Sequence, residues 1–267
     1  MKCEQPAGCA NPNPIQVFEP GMLPESLQKR IEEFRFPLSE YPSPAEREKE
    51  LEYDRMYLKR SVYVIYYSPI DFTSFIAVAR IIEKRTPEEK LPIEFATVVS
   101  TTVDSSTSPK RDINGGLFPV DYYDARLPVC EIGGLRAAEL DPARGITLTA
   151  RYRAIDEVMK QCDKQVHDRG YKSFFLTCIG TPQMERLYHD KFFFDEVATI
   201  NYSNSATIWR ALWRTPFHNP VKKIEYSQKS LKTDSDFKWK TTWGISTCVS
   251  FPYEGRAVRE RELELVY

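Results

Sequence analysis

Residues 127–147 read Leu-Pro-Val-Cys-Glu-Ile-Gly-Gly-Leu-Arg-Ala-Ala-Glu-Leu-Asp-Pro-Ala-Arg-Gly-Ile-Thr, and the fold turns on how this stretch is taken. Leu127 to Leu135 is apolar enough for a buried strand, yet Glu131 and the pair Gly133–Gly134 stand in its middle. Glycine inside a strand adds no packing and marks either a bulge or a place where a ligand approaches the main chain. An ionised Glu131 in an apolar run is costly unless it is paired or neutral. Two readings fit these residues equally well. One is a strand opened for a substrate beside a carboxyl group; the other is an edge strand with a solvent-facing Glu and turn-forming glycines. The following loop, Leu140 to Thr147, feeds a helix. Main-chain amides at a helix N-terminus, next to a glycine, form an anion site suited to a pantetheine phosphate or pyrophosphate.

Outward from this stretch the pattern is regular. Leu148, Tyr152, Ile155, Met159, Cys162 and Val166 make one apolar helical face, with Arg151, Asp156, Lys160, Asp163 and Lys164 expected mainly on the other, and Gly170 ends the helix. Lys172 to Ile179 reads as a buried strand. Thr181-Pro182 opens a short helix through Lys191, and Phe192 to Ile200 is a further strand. This alternation predicts a mostly parallel α/β core. Upstream, Ser61 to Ser68 and Phe75 to Ile82 are β-branched and aromatic strands, the second containing Arg80. Ser43-Pro44-Ala45-Glu46 caps a helix expected from Pro44 to Leu58. The chain divides into an extended arm at 1–22, N-terminal helices at 23–60, a core at 61–214 and a partly β C-terminal extension at 215–267. A long loop is expected at 100–116.

Composition narrows the function classes. The 267 residues carry 37 Lys plus Arg against 38 Asp plus Glu, a balance that argues against nucleic-acid binding as the main activity. Cysteines 130, 162 and 178 sit in apolar patterns as reduced thiols, and Cys3 and Cys9 lack partners for a zinc set, so no metal site is expected. There is no secretory leader pattern and no apolar stretch of the ~20 residues that a membrane span needs, so the expected address is cytoplasmic.

The strand Val129-Cys-Glu-Ile-Gly-Gly-Leu-Arg-Ala, the loop Glu139-Leu-Asp-Pro-Ala-Arg-Gly-Ile and the segment Arg186-Leu-Tyr-His-Asp-Lys-Phe-Phe-Phe together resemble the GNAT acyltransferase superfamily over about residues 60–205. They match its fourth strand, its pyrophosphate loop, and its closing helix and strand. The resemblance implies an α/β fold with a mixed, centrally splayed β-sheet flanked by helices. Arg80 in Val-Ala-Arg-Ile-Ile-Glu-Lys-Arg-Thr-Pro, Leu-Pro-Ile-Glu-Phe at 91–95, Glu131 and Glu52-Tyr53-Asp54 narrow the likeness to acyl-homoserine-lactone synthases and N-acyl amino acid synthases. Gly134 stands where those synthases tend to have Arg, and Arg136 is the expected substitute. Of the superfamily's loop glycines only Gly145 survives, which points to a pantetheine arm delivered by a protein.

The resemblance implies an N-acyltransferase that takes a fatty acyl group from acyl-carrier protein, or acyl-CoA, as co-substrate, with no tightly bound cofactor. The acceptor is the amine of an amino acid or related small molecule. Glu131 is the implied general base and Tyr188 the acid that protonates the thiolate. Gly133, Gly134 and Leu135 supply main-chain donors, and Arg80, Arg136 and Asp54 surround the acceptor. Arg144, Gly145 and Thr147 hold the pantetheine phosphate. Arg144, Arg151 and Arg153 offer a basic face to an acidic carrier protein. Arg80 paired structurally with Asp54, and Tyr188 as a packing residue, are the competing readings. The rival activities are an acetyl-CoA-dependent N-acetyltransferase and a non-catalytic acyl-ligand-binding domain.

Overall fold

The computed structural model describes residues 13–101, 115–123, 126–181, 184, 187–202 and 208–216. Eight strands form one sheet: β1 (Ile15–Phe18), β2 (Ser61–Tyr67), β3 (Phe75–Lys84), β4 (Thr97–Thr101), β5 (Val129–Ala137), β6 (Ser173–Ile179), β7 (Asp195–Asn201) and β8 (Trp209–Arg214). Their order across the sheet is β1-β2-β3-β5-β6-β8-β7-β4. Helices α1 (Glu25–Arg35), α2 (Pro44–Arg55) and α3 (Leu148–Asp168) accompany it. With β4 set aside as an insertion, β5 is the fourth strand in chain order, the place the resemblance gave it. The architecture is the mixed, open sheet flanked by helices that the resemblance implied.

The helices begin where their caps predict. Ser43 accepts the Glu46 amide at 3.3 Å with Pro44 in the first turn of α2, and Thr147 accepts the Ala150 amide at 3.2 Å to start α3. Gly170, at φ +72°, turns the chain out of α3. Ala154, Ile155, Val158, Met159, Cys162 and Val166 pack onto the sheet. A second cluster fills the opposite face, with Ile82, Ile93, Phe118, Phe175 and Trp209 among its members.

Four expectations are corrected. The core is not mostly parallel: β5–β6 is the single parallel pair among the described strands, because β8 returns between β6 and β7 and pairs antiparallel with both. The 1–22 segment is not all arm, since Ile15–Phe18 pairs with Tyr63–Tyr66. α2 stops at Arg55 rather than Leu58, and a 3-10 turn over Leu58–Arg60 leads into β2. After Thr181, whose hydroxyl accepts the Met184 amide at 3.4 Å as the expected cap, the closing turn at Leu187–Lys191 is π-helical, and the next strand starts at Asp195 rather than Phe192 because Phe192 and Phe194 fold into the core. Cys3, Cys9, Cys248 and the 215–267 extension beyond residue 216 lie outside the described residues.

Candidate active site

The sheet opens at its centre. β5 and β6 pair from Val129↔Ser173 to Ile132↔Leu176 and no further. Beyond that point each strand holds only its outer neighbour: β5 follows β3 to Ala137↔Ala77, and β6 follows β8 to Ile179↔Trp209. The two strands diverge from Gly133 onward. On the β3 side, Arg80 pairs with Gly133 and Val78 with Arg136, so Gly134 and Leu135 together face Ala79. That two-against-one count is a β-bulge, and Gly134 takes the left-handed conformation, φ +63°, that a bulge asks of glycine.

Gly134 also makes room. A methyl group on its Cα would collide with the Arg35 guanidinium, whose Cζ would lie 2.6 Å away. Arg35, the last residue of α1, therefore occupies the space over the bulge. Arg136, the expected substitute, is committed elsewhere: its guanidinium donates to the Arg35 carbonyl at 3.0 Å and pairs with Glu40. Replacing Gly134 with Ala is expected to cost about 2 kcal/mol, from the left-handed φ and from displacing Arg35. Gly133→Ala, whose Cβ would meet Ile82 at an ordinary 3.4 Å, is expected to cost less than half as much, and denaturant midpoints compare the two.

Arg35 and Arg80 converge on Asp54. Arg35 makes two contacts with its carboxylate, 2.9 and 3.1 Å, while Arg80 adds an ion pair at 2.6 Å and a bond to the Asp54 carbonyl at 3.0 Å. All three side chains are buried, Arg80 completely. The structural pairing of Arg80 with Asp54 is thus present, and it ties α2 to β3 directly beneath the bulge.

Glu131 sits where β5 is still paired on both sides, with Ile82 and Phe175 as neighbours, two residues before the opening. Its side chain is fully buried. The Ile93 amide donates to Oε2 at 2.9 Å, and Oε1 has no hydrogen-bond partner among the described residues. Burial raises its pKa to about 8, against the lowering effects of the Ile93 amide and Arg80. The 91–95 turn that presents Ile93 is locked by Glu94, which accepts the Leu91 amide at 2.8 Å and pairs with Lys84 at 2.7 Å. Tyr57 donates to Tyr53 at 2.9 Å, and both lie close enough to feel the charge on Glu131.

Tyr188 is on the other face. It lies in the apolar cluster under α3, 6.0 Å from Phe194 and 6.2 Å from Phe192 between ring centres. Burial, with Cys178 and Cys162 nearby, raises its pKa and keeps the phenol protonated. Glu131 and Tyr188 are therefore not in one cavity wall; the sheet lies between them.

The 141–147 loop departs from its expected use. Asp141 and Pro142 carbonyls accept the amides of Arg144, Gly145 and Ile146, closing a tight turn. Gly145 stands at φ +71°, and the space where its side chain would lie is filled by Ile70. Arg144 is exposed and pairs with Asp141 at 3.4 Å. Thr147 spends its hydroxyl on the helix cap. The donors left facing outward are the first-turn amides of α3, Leu148 and Thr149, which no helix can bond internally. Arg153 is exposed, but Arg151 and Asp163, expected on the solvent side of α3, are buried. Asp163 meets the buried Arg214 of β8 at 2.6 Å. That pairing was unreadable because β8 itself went unrecognised.

Arg35, Ile93 and the Tyr53–Tyr57 pair are the members that sequence reasoning missed. Tyr53 stood within the quoted Glu-Tyr-Asp element, but nothing marked Arg35. Among the described residues no cluster of His, Cys, Asp and Glu is placed to hold a metal ion, and no helix is long and apolar enough to cross a membrane.

The site is thus an open central sheet with a bulged strand and a buried carboxyl beside the gap. No family model matches the chain, and no curated protein matches it in sequence. Solved structures similar to it include TofI in a ternary complex with an inhibitor and MTA, at 15% identity and TM-score 0.48, spanning 79% of this chain and 96% of that one. FeeM, an N-acyl amino acid synthase from uncultured soil microbes, has 9% identity and TM-score 0.47 over 75% and 94%. MesI, a CoA-dependent acyl-homoserine lactone synthase, has 11% identity and TM-score 0.44 over 80% and 95%.

Proposed function

We propose that the protein is an N-acyltransferase that moves an acyl group from a pantetheine thioester to the amine of an amino acid or related small molecule. The observation that carries this reading is the parting of β5 and β6 at Gly133, within two residues of a buried carboxyl whose pKa stands near 8. An amine must lose a proton before it attacks, and a base of that strength is well matched to the task. Glu131 Oε1 takes the proton from the amine, directly or through water. The nitrogen attacks the thioester carbonyl, whose oxygen is received by main chain around Gly133–Leu135. The C–S bond then breaks, and the departing thiolate takes its proton from solvent, because Tyr188 is packed in the apolar cluster on the far face of the sheet. Arg80, Asp54 and Arg35 fix the bulge and the floor of the acceptor pocket, while Arg136 braces α1.

The donor is proposed to be acyl-carrier protein rather than free acyl-CoA. The 142–146 turn has spent its amides internally, and Ile70 fills the space beside Gly145, which leaves little of a pyrophosphate cradle. Arg144 and Arg153 remain as the exposed basic positions for an acidic carrier. The test is intact-mass analysis of products from acyl-carrier-protein and acyl-CoA donors with a panel of amino acids, alongside lipids extracted from cells expressing the protein. N-acyl products are expected from the carrier-protein donor and absent with Glu131→Gln. Turnover with acetyl-CoA alone would shift the assignment to an N-acetyltransferase, and ligand binding without turnover of any donor would discard catalysis.

A further inference from the structure

We infer that the hydroxyls of Thr177 and Tyr202 form, with Glu131, a seat that selects a primary amine as acceptor, an inference that rests on the acyl-transfer reading for the step that follows. Thr177 lies on β6 two residues past Phe175, the partner of Glu131, and side chains two apart on a strand share a face. Carried one residue beyond Ile132↔Leu176, the register would set Thr177 against Gly133, which is where the strands part. Thr177 therefore stands on the lip of the opening across from the bulged strand, on the face that holds Glu131. Its β8 neighbour is Ala211, which offers only a methyl group. Tyr202 follows β7 and packs edge-on to Trp209, 5.8 Å between ring centres, in the cluster that contains Phe175 and Ile93. The Tyr202 and Thr177 hydroxyls are near neighbours, in a contact too loose to count as a hydrogen bond, and Tyr202 lies close enough to feel the charge on Glu131.

Three oxygens on this face are buried without a hydrogen-bond partner among the described residues: Glu131 Oε1, Thr177 Oγ1 and Tyr202 Oη. Their residues are 0%, 5% and 1% exposed. A hydroxyl buried without a partner is unfavourable, and Val and Phe would fill the same space without that cost. Tyr57 and Tyr53, in contrast, are bonded to each other. The unmet oxygens fit an attacking amine. A neutral primary amine has one lone pair and two hydrogens. With one hydrogen on Oε1 and the other on the hydroxyl pair, the lone pair is left to face the thioester carbonyl at Gly133–Leu135. As the C–N bond forms, the N–H bond on the Glu131 side breaks and its proton passes to Oε1. The second hydrogen stays on what becomes the amide nitrogen. A secondary amine has a single hydrogen, so its extra alkyl group would press on the hydroxyls and leave them unpaired.

The test pairs alanine, leucine and phenylalanine with their N-methyl forms, on wild type and on the near-isosteric variants Thr177→Val, Tyr202→Phe and their combination. Wild type is expected to favour the primary amine about tenfold in kcat/KM, and to bind it more tightly by calorimetry, with both preferences lost in the double variant. Thermal unfolding without ligand gives an arm that needs no substrate. Each single variant should melt at or above wild type, because it removes an unmet hydroxyl. Three outcomes overturn the inference: a primary-amine preference that survives the double substitution, no preference in wild type, or a single variant that melts well below wild type and so shows its hydroxyl serving the fold. Absence of product from every thioester donor, with the calorimetric preference present in wild type and lost in the double variant, counts against the acyl-transfer reading and upholds the seat.

Discussion

Asp54→Ala is expected to be the most destabilising single change in the protein. One carboxylate serves two buried guanidinium groups, Arg35 at 2.9 Å and Arg80 at 2.6 Å, and nothing polar replaces it when it is removed. Deleting one member of a buried ion pair costs about 3–5 kcal/mol, because the remaining charge is stranded away from water. Here two cations are stranded, and they repel each other. Domains of this size have about 5–15 kcal/mol in all, so the variant should be largely unfolded or should melt at least about 10 °C below wild type. Asp54→Asn is expected to recover little, since an amide offers one acceptor oxygen in place of two and carries no charge. Circular dichroism melts of the two variants decide the point. A midpoint within about 2 °C of wild type would show that the cluster is an ornament of the surface and not the brace between α2 and β3.

The second large effect concerns Glu131 and has a kinetic and a thermodynamic part. Glu131→Gln keeps the shape of the side chain and its bond to the Ile93 amide but cannot take a proton. Loss of a positioned general base lowers the rate about 10²–10⁴-fold. In wild type the active form is the carboxylate, so kcat/KM should rise with pH, about tenfold per unit, and level off above pH 8. The profile of the variant should be flat. The groups that set this midpoint are Arg80 and Arg60, which favour the carboxylate, and Glu94, which with burial disfavours it.

The stability of the protein carries the same signature. A carboxyl whose pKa is about 8 when folded and near the ordinary 4.5 when unfolded holds its proton more tightly in the folded state. Its contribution to folding is fully present below pH 4.5 and is lost as pH rises through 8. Glu131→Gln removes that loss, so the variant should gain on wild type progressively between pH 5 and pH 8, reaching a few kcal/mol by pH 9. A variant less stable at pH 9 than at pH 5 relative to wild type would mean that Glu131 is ionised and paired in the fold, and no base of the strength proposed. Stability and rate are measured on the same two proteins, so an inactive but more stable variant separates chemistry from folding.

Much of the site was legible because its residues broke local rules. Glu131 and Gly133–Gly134 are poor choices for a core strand, and the structure places them where the sheet opens, the first as a buried carboxyl and the second at a bulge beside the gap. The span of α3 was legible, since its cap at Thr147, its apolar stripe and its terminating Gly170 are all local. The errors came from partners distant in sequence. Arg136 was two residues from Gly134 and looked like its substitute, yet the guanidinium over the bulge comes from Arg35, nearly a hundred residues upstream. Arg151 and Asp163 were placed on the polar side of α3 by their charge, and both face inward. β8 was overlooked, and with it the antiparallel pairings that join β6 to β7.

Sequence by itself determined the elements with short-range causes: the capped helices α2 and α3, the apolar strands β2, β3 and β5, and the chemical oddity of residues 131–134. Tertiary structure alone decided which strands part company, which guanidinium fills the space that Gly134 leaves, and which buried charges meet a counterion. Helix periods and caps depend on residues three or four apart, so they are written locally. The compensation of a buried charge depends on whatever the fold brings within about 3 Å, and no local pattern records that distance.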